Sequence, residues 1–502
     1  TQYSLDRWVK NALHTFRLTS NDVMNHRKEP LEEEFFRDIR AVAEAIQVIY
    51  HTPIPKELTE ILPVQMPKYS MKREKNVLER RIRVSFEYAD AEFLYVTPID
   101  EVSDEYWKIR YNQLGVNDEF TEGIKDYWRH AQLNLLDVKR NEDGTYTPSF
   151  IVLEPDYLVD ISALAECYRE YGSHPANYIM SRLVPIDNAR PLLLGNIANL
   201  FLDEWIYASE EEPEYLDCMK KVFKRYPVEL AACEELLDKE KETAFFKDCQ
   251  MHFEHIRQTV KDTFLEPGYN LDKSDAVLEP SYICEALGVQ GRLDYMQRDM
   301  SSFIEMKSGK ADEYAMKGKL EPKENNRVQM LLYMAVLEYS MGIDRRKQHP
   351  YLLYTRYPLL YPARASWAQV RRIIALRNRI VAAEYGTQMH NHPSYTAELL
   401  AQINPVTLNE KKLQGRFWEQ YLAPGIINFQ KHLQSLDDLE KTYLYTLYNF
   451  ITKELYTSKS GDVDSESKTG ASTLWLSTLD EKREAGEILY DLRIIENKAS
   501  QP

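Results

Sequence analysis

The residues best suited to chemistry lie between 291 and 307. Gly291-Arg292-Leu293-Asp294 is followed, after a turn, by Phe303-Ile304-Glu305-Met306-Lys307. In a β-strand side chains alternate, so Glu305 and Lys307 share one face while Ile304 and Met306 share the other. A hairpin over Gln297-Arg298-Asp299 would bring Asp294 to the same place. Two converging carboxylates without an obvious cationic partner suit a hard divalent cation. A lysine beside them suits an attacking water or the charge that grows on a phosphate. The chemistry expected is metal-dependent phosphodiester cleavage. Elsewhere the signals are weaker: His252 and His255 stand three apart with no third ligand in view, and read as ordinary surface or core histidines.

Several elements must position these groups. Asn326 to Tyr333 reads as helix, with Gln329 and Tyr333 one turn apart on one face. Helix at about 323–341 and strand at Tyr351-Leu352-Leu353-Tyr354 follow the strand block 276–307, an alternation that implies an α/β core. Upstream, Ile161 to Tyr171, Leu192 to Ser209 and long segments between 212 and 266 read as helix. Before Pro155 the period is two: strands are expected at Arg81–Tyr88, Phe93–Val96, Trp107–Tyr111, Leu133–Val138 and Phe150–Leu153, with a helical insert near 117–130 and a hairpin turn at Asn141–Gly144. Short strands so closely spaced suit a small barrel. Residues 1–75 read mainly as helix, as does the stretch from 364 to about 455, and the polar run 457–472 reads as a loop.

Composition bounds the possibilities. At 502 residues the chain should hold roughly two to four domains. The longest apolar run is Met330 to Leu337, too short to span a membrane. The five cysteines, at 167, 218, 233, 249 and 284, form no close pair, which suits buried thiols in a reducing cytoplasm. The net charge of −16 argues mildly against nucleic acid. The arginines at 364, 371, 372, 377 and 379 could form either a solvated helix face or a phosphate track.

The run Gly195…Asn199, Glu279, Gly291-x-x-Asp294, Glu305-x-Lys307 and Gln329-x-x-x-Tyr333 resembles, in order and spacing, the RecB-like branch of the PD-(D/E)XK nuclease superfamily. The resemblance covers about 150–360. On its weaker flanks, Ile151–Leu158 and Ser472–Trp475 look like the two ends of the nuclease part of flap-processing nuclease-helicases of eukaryotic type. It implies a restriction-endonuclease-like core, with a mixed sheet flanked by helices. It also implies Asp294, Glu305 and the Met306 carbonyl as ligands of Mg2+ or Mn2+, with Lys307 beside the reacting phosphate. Gln329 and Tyr333 would position Lys307 or DNA, and Glu279 would support the ligands. Asn199 stands where the family has a metal-binding histidine, and an amide oxygen is a weaker ligand. Relatives with an iron–sulfur cluster need three cysteines after the core, whereas no cysteine follows Cys284, so no such cluster is expected.

The implied domains are a helical region at 1–78, an OB-like barrel at 79–155, and the nuclease core at 156–365 with a helical insert at about 210–270. A helical extension at 366–485 follows. Residues 486–502, with a strand at Leu492–Ile495, would begin a further domain, a superfamily 1 helicase. The implied activity is hydrolysis of DNA at single-stranded ends or flaps, in repair or replication. The alternative is a nuclease-fold module that binds DNA without cutting it.

Overall fold

The computed structural model describes residues 9, 12, 13, 16, 32–62, 78–99, 105–184, 189–208, 211–314, 319–363, 366–390, 392–461 and 470–496. The architecture is mixed α/β, and the chain divides into two compact units. One comprises Thr1–Tyr157 with Thr452–Pro502, the other Leu158–Ile451. The helices of the expected 366–485 extension are therefore shared between them.

The first unit is built on a small barrel. Strands β1 (Leu78–Ala89), β2 (Phe93–Pro98), β3 (Trp107–Arg110), β4 (Gln132–Arg140), β5 (Tyr146–Thr147) and β6 (Phe150–Leu153) run in the order β1-β2-β3-β5-β4-β6. A further β1–β4 pairing closes the first five into a ring. Alternation accounts for the inside: Ile82, Val84, Phe86, Leu94, Val96, Ile109, Leu133 and Leu135 are all buried. The strands expected from the sequence all form, and β5 adds a short one. The insert near 117–130 is a 3₁₀ helix at Asp118–Asp126. Helices Glu32–Tyr50 and Lys56–Ile61 precede the barrel. Within the same unit, Asp156 takes hydrogen bonds from Arg83 and from the indole of Trp475.

The C-terminal part departs from expectation. Leu492–Ile495 forms no strand, and Leu492, Ile494 and Ile495 are exposed. With no neighbouring strand, the ladder hydrogen bonds that stabilise an extended segment are not made. The polar run from 457 is helical at its start, because helix Asp438–Ser460 continues into it; its residues 462–469 lie outside the described set.

The second unit carries a five-stranded sheet, ordered β16 (Leu359–Pro362), β15 (His349–Tyr354), β12 (Ser302–Lys307), β11 (Tyr295–Gln297), β8 (Ala276–Leu278). β12 pairs in parallel with β15 and antiparallel with β11. Beside it lies a three-stranded sheet of β7 (Val159–Asp160), β10 (Val289–Arg292) and β9 (Ser281–Cys284). A two-stranded sheet joins β13 (Asp312–Tyr314) to β14 (Lys319–Glu321). β12 is buried along its length except at Lys307. Its Ile304 and Met306 join a core with Ile197, Phe201 and Trp205 of helix Ala189–Tyr207 and Phe253 and Ile256 of helix Lys239–Lys261. Helix Glu324–Met341 is largely buried and supplies Gln329 to the Glu305 face. The helix expected over Ile161–Tyr171 ends at Ala165, and the chain turns before a bridge between Arg169 and Gly172.

Arg364 lies outside the described residues, and the rest of the arginine run is neither a solvated face nor a phosphate track throughout. Arg371 and Arg377 are buried on helix Trp367–His390. Arg377 donates through Nε to the Gly288 carbonyl. Gly288 has φ +66°, and a Cβ there would lie 2.4 Å from the guanidinium, so the turn into β10 needs glycine twice over. All five cysteines are buried and free. Burial pushes the thiols of Cys167 and Cys249 up to about 12 and those of Cys218 and Cys284 up to about 11. Among the described residues no helix is long and apolar enough to cross a membrane.

Candidate active site

Cross-strand register assembles the carboxylates. Tyr295 pairs with Ile304 and with Leu278 in antiparallel ladders. One residue further along, the same register sets Asp294 opposite Glu305 and Glu279. The main chain confirms the second alignment, since Glu279 N donates to Asp294 O at 3.1 Å. Three acids thus stand in one row across three neighbouring chain segments. Glu279 itself sits at φ +51°, a left-handed conformation that costs a non-glycine residue on the order of 1 kcal/mol. Its side chain meets Arg292 at 3.2 Å.

Glu305 anchors a closed triangle. Lys307 Nζ donates to Glu305 Oε1 at 2.8 Å and to Gln329 Oε1 at 2.9 Å, while Gln329 Nε2 donates to the same Glu305 oxygen at 2.6 Å. Both donors therefore use Oε1. Glu305 Oε2 is buried and has no hydrogen-bond partner among the described residues. An orphaned carboxylate oxygen in a protein interior costs several kcal/mol unless a proton or a cation meets it. Asp294 Oδ2 accepts from the Met306 amide at 2.6 Å, which ties it to β12.

The electrostatics follow from burial and crowding. Burial, then the neighbouring Asp294, pushes the Glu305 carboxyl up to about 8, against the pull of Lys307. Asp294 is raised as well, by burial first, with Lys307 and the Met306 amide opposing. Lys307 is the other side of this pair. Burial opposes its charge, but Glu305 and Asp294 outweigh burial and hold the ammonium above its usual range. Two buried acids and one ammonium leave a surplus of negative charge whenever both acids ionise. That surplus is what a divalent cation neutralises.

Tyr333, one turn after Gln329, reaches the strand beside the acids and is electrostatically coupled to Glu305. Its hydroxyl donates to the Arg292 carbonyl at 2.5 Å. A Cβ on Gly291 would lie 3.0 Å from that hydroxyl, so the motif glycine is where Tyr333 crosses β10 closely. Burial raises the Tyr333 phenol far above its ordinary value. Its role in the structure is to hold the bend between Gly291 and Asp294.

Asn199 is half-buried on helix Ala189–Tyr207. Gly195, four residues earlier, faces Ser308 just after Lys307. A carboxylate of this helix that is electrostatically coupled to the acid row is Asp203, one turn beyond Asn199. Its carboxyl is pushed up to about 6 by burial and then by Glu279, with Arg225 opposing and a smaller push from Asp294. Sequence reasoning passed over Asp203. Its signal was an acid, followed by Glu204, at the end of the apolar run Leu200-Phe201-Leu202, one turn past the position where the resemblance asked for a ligand.

His252 and His255 are both partners of one residue. His252 Nδ1 lies 2.8 Å from Thr355 Oγ1, and His255 Nδ1 lies 3.0 Å from Thr355 O. Thr355 N donates to Lys307 O at 2.9 Å. The two histidines thus brace the end of β12. Among the described residues, no set of three or more His, Cys, Asp or Glu side chains is arranged to hold a metal ion. Neither a protein-family model nor a curated protein matches this chain.

Proposed function

We propose that this chain is a metal-dependent DNA nuclease with a restriction-endonuclease-like core, acting on single-stranded ends or flaps as the nuclease part of a nuclease-helicase. The observation that supports it most is the bare Glu305 Oε2 beside Asp294, with Lys307 and Gln329 locked onto the other oxygen. The donor set fits Mg2+ or Mn2+: hard oxygens, surplus negative charge and an orphaned lone pair. Asp294, Glu305 and the Met306 carbonyl would hold the ion, with Asn199 a weak further donor and Glu279 in support. Such an ion would supply Lewis acidity at the scissile phosphate. Lys307 holds a fixed positive charge where phosphate charge grows, and its bonds to Glu305 and Gln329 remove the cost of orienting it during reaction. Gln329 fixes both partners, and Tyr333 fixes the bend that presents Asp294.

The test is cleavage of end-labelled single-stranded and flapped DNA with Mg2+, Mn2+ or chelator. Wild type should cut only with a cation, and Lys307→Ala should cut slower by on the order of 10²–10³ with DNA affinity retained. Absence of cutting by wild type with either cation would leave a DNA-binding module. Equal loss of binding and cutting in Lys307→Ala would make that residue a docking group.

A further inference from the structure

Two arginines flank the acid row at its outer end, the end away from Lys307. Arg292 closes β10, two residues before Asp294. Its Nη1 donates to Glu279 at 3.2 Å, and the guanidinium makes no other hydrogen bond among the described residues. The side chain is 56% exposed, so most of its five donors face solvent. The Tyr333 hydroxyl on the Arg292 carbonyl fixes the backbone that carries it. Arg225 comes from another element, as the last residue of helix Tyr215–Arg225. That helix buries Cys218, Met219 and Val222. Arg225, one turn past Val222, lies on the flank of the buried face, which leans it toward helix Ala189–Tyr207. Burial and then Glu279 push the Asp203 carboxyl of that helix up, and Arg225 opposes them. The adjoining Tyr226 is tied to the same helix, its hydroxyl donating to Asn196 O at 3.4 Å. The Arg225 guanidinium lies 5.7 Å from the Tyr226 centroid, is exposed, and makes no salt bridge among the described residues.

We infer that Arg225 and Arg292 form a clamp at the outer end of the row, holding the phosphate next to the one that Lys307 serves. The inference rests on the proposed nuclease function and assigns to that site two substrate-positioning residues. Glu305, Asp294 and Glu279 stand on neighbouring segments, and paired strands lie about 4.8 Å apart, so Glu279 is roughly 10 Å from Glu305. Lys307 sits on Glu305 and Arg292 on Glu279, so the two cations meet different phosphates of one strand. Charge leads to the same place. Four acids, Asp203, Glu279, Asp294 and Glu305, face three cations, Lys307, Arg225 and Arg292. When all are ionised, a bound divalent ion turns that deficit into a surplus of positive charge, which draws in a polyanion. Guanidinium donors are forked and match two phosphate oxygens at once. The clamp grips backbone and no base edge, so it sets register and affinity without choosing sequence.

The experiment uses the full chain and has two arms. In the first, a fluorescent oligothymidylate is titrated in Ca2+ at several salt concentrations, which needs no cutting. Arg225→Ala and Arg292→Gln should each lower the salt slope of log Kd by about one, and Arg225→Lys, which keeps the charge, should restore it. Loss of an arginine that only neutralised Glu279 or Asp203 would not lower that slope. In the second arm, Mg2+-dependent hydrolysis of the oligothymidylate is compared with that of thymidine 5′-(p-nitrophenyl phosphate), which has a scissile phosphate and no neighbour. The advantage of the oligonucleotide in kcat/KM should fall about tenfold in Arg225→Ala and Arg292→Gln, through KM. Salt slopes equal to wild type in both variants, or equal losses on the two substrates, would overturn the inference. The two readings fail separately. Cutting by wild type with unchanged slopes in the variants sinks the clamp and leaves the nuclease. Lowered slopes in a chain that hydrolyses neither substrate sink the nuclease and leave the clamp.

Discussion

Asp203 and Asn199 stand one turn apart on the same helix and probe the acid row in opposite ways. Asp203 adds a fourth carboxylate near Glu279 and Asp294. If it supports the ion, Asp203→Asn should raise the Mg2+ concentration needed for half-maximal cutting about 10- to 100-fold, the usual effect of removing a supporting group. The melting temperature should hold or rise, because a crowded like charge is gone. A metal titration identical to wild type would leave Asp203 as a bystander. Asn199→His tests the departure from the family pattern. A histidine nitrogen there should raise cutting in Mn2+ relative to Mg2+. An unchanged ratio would show that position 199 does not face the ion.

At the scale of elements, β12 is the piece on which the site depends. It is held by β11 and β15 along its edges and by Thr355 at its end. His252 is buried behind that clamp, and burial pulls its imidazole down to about 4, with the Thr355 backbone and Asp248 opposing. The sign of the linkage is fixed. Above about pH 6.5 the imidazole is neutral in both folded and unfolded chains. As pH falls from there toward 4, the unfolded chain takes up the proton and the folded chain does not, so stability is lost across that window, by at most roughly 3 kcal/mol. Melting temperature measured from pH 8 to pH 4 should decline most below 6.5. His252→Gln should flatten that decline, and an equal slope in the variant would show that His252 is not its source. The pairing of Glu305 with Lys307 and the face of Gln329 were legible from periods of two and 3.6 residues. The clamp was not, because Thr355 and His252 lie about a hundred residues apart and meet only through packing.

Taken whole, the molecule is two compact units, one built on a small barrel and one on a carboxylate-bearing sheet. Its charge of −16 is no bar to DNA binding if the contacts are local, since a steering field and a contact surface are different things. The chain contains no G-x-x-x-x-G-K-[ST] phosphate loop. Cutting by this chain should therefore proceed at the same rate with and without ATP, with no phosphate release from ATP. Phosphate release above a buffer blank would reveal a nucleotide site that its sequence does not carry.

The sequence by itself determined what is local. Alternation in 81–86, 93–96 and 303–307, the glycine before Asp294 and the one-turn spacing of Gln329 and Tyr333 follow from backbone geometry that each short segment obeys alone. Tertiary structure decided the rest. Only packing shows that one Glu305 oxygen is satisfied twice and the other not at all, that Asp203 joins the acid row, and that Arg377 is a buried prop for Gly288. Only the pairing of β1 with β2 reveals that a one-residue slip turns Tyr88 to the outside. Leu492–Ile495 shows the same limit from the other direction: an apolar, branched run is strand-like in composition, but a strand exists only where another strand takes its hydrogen bonds.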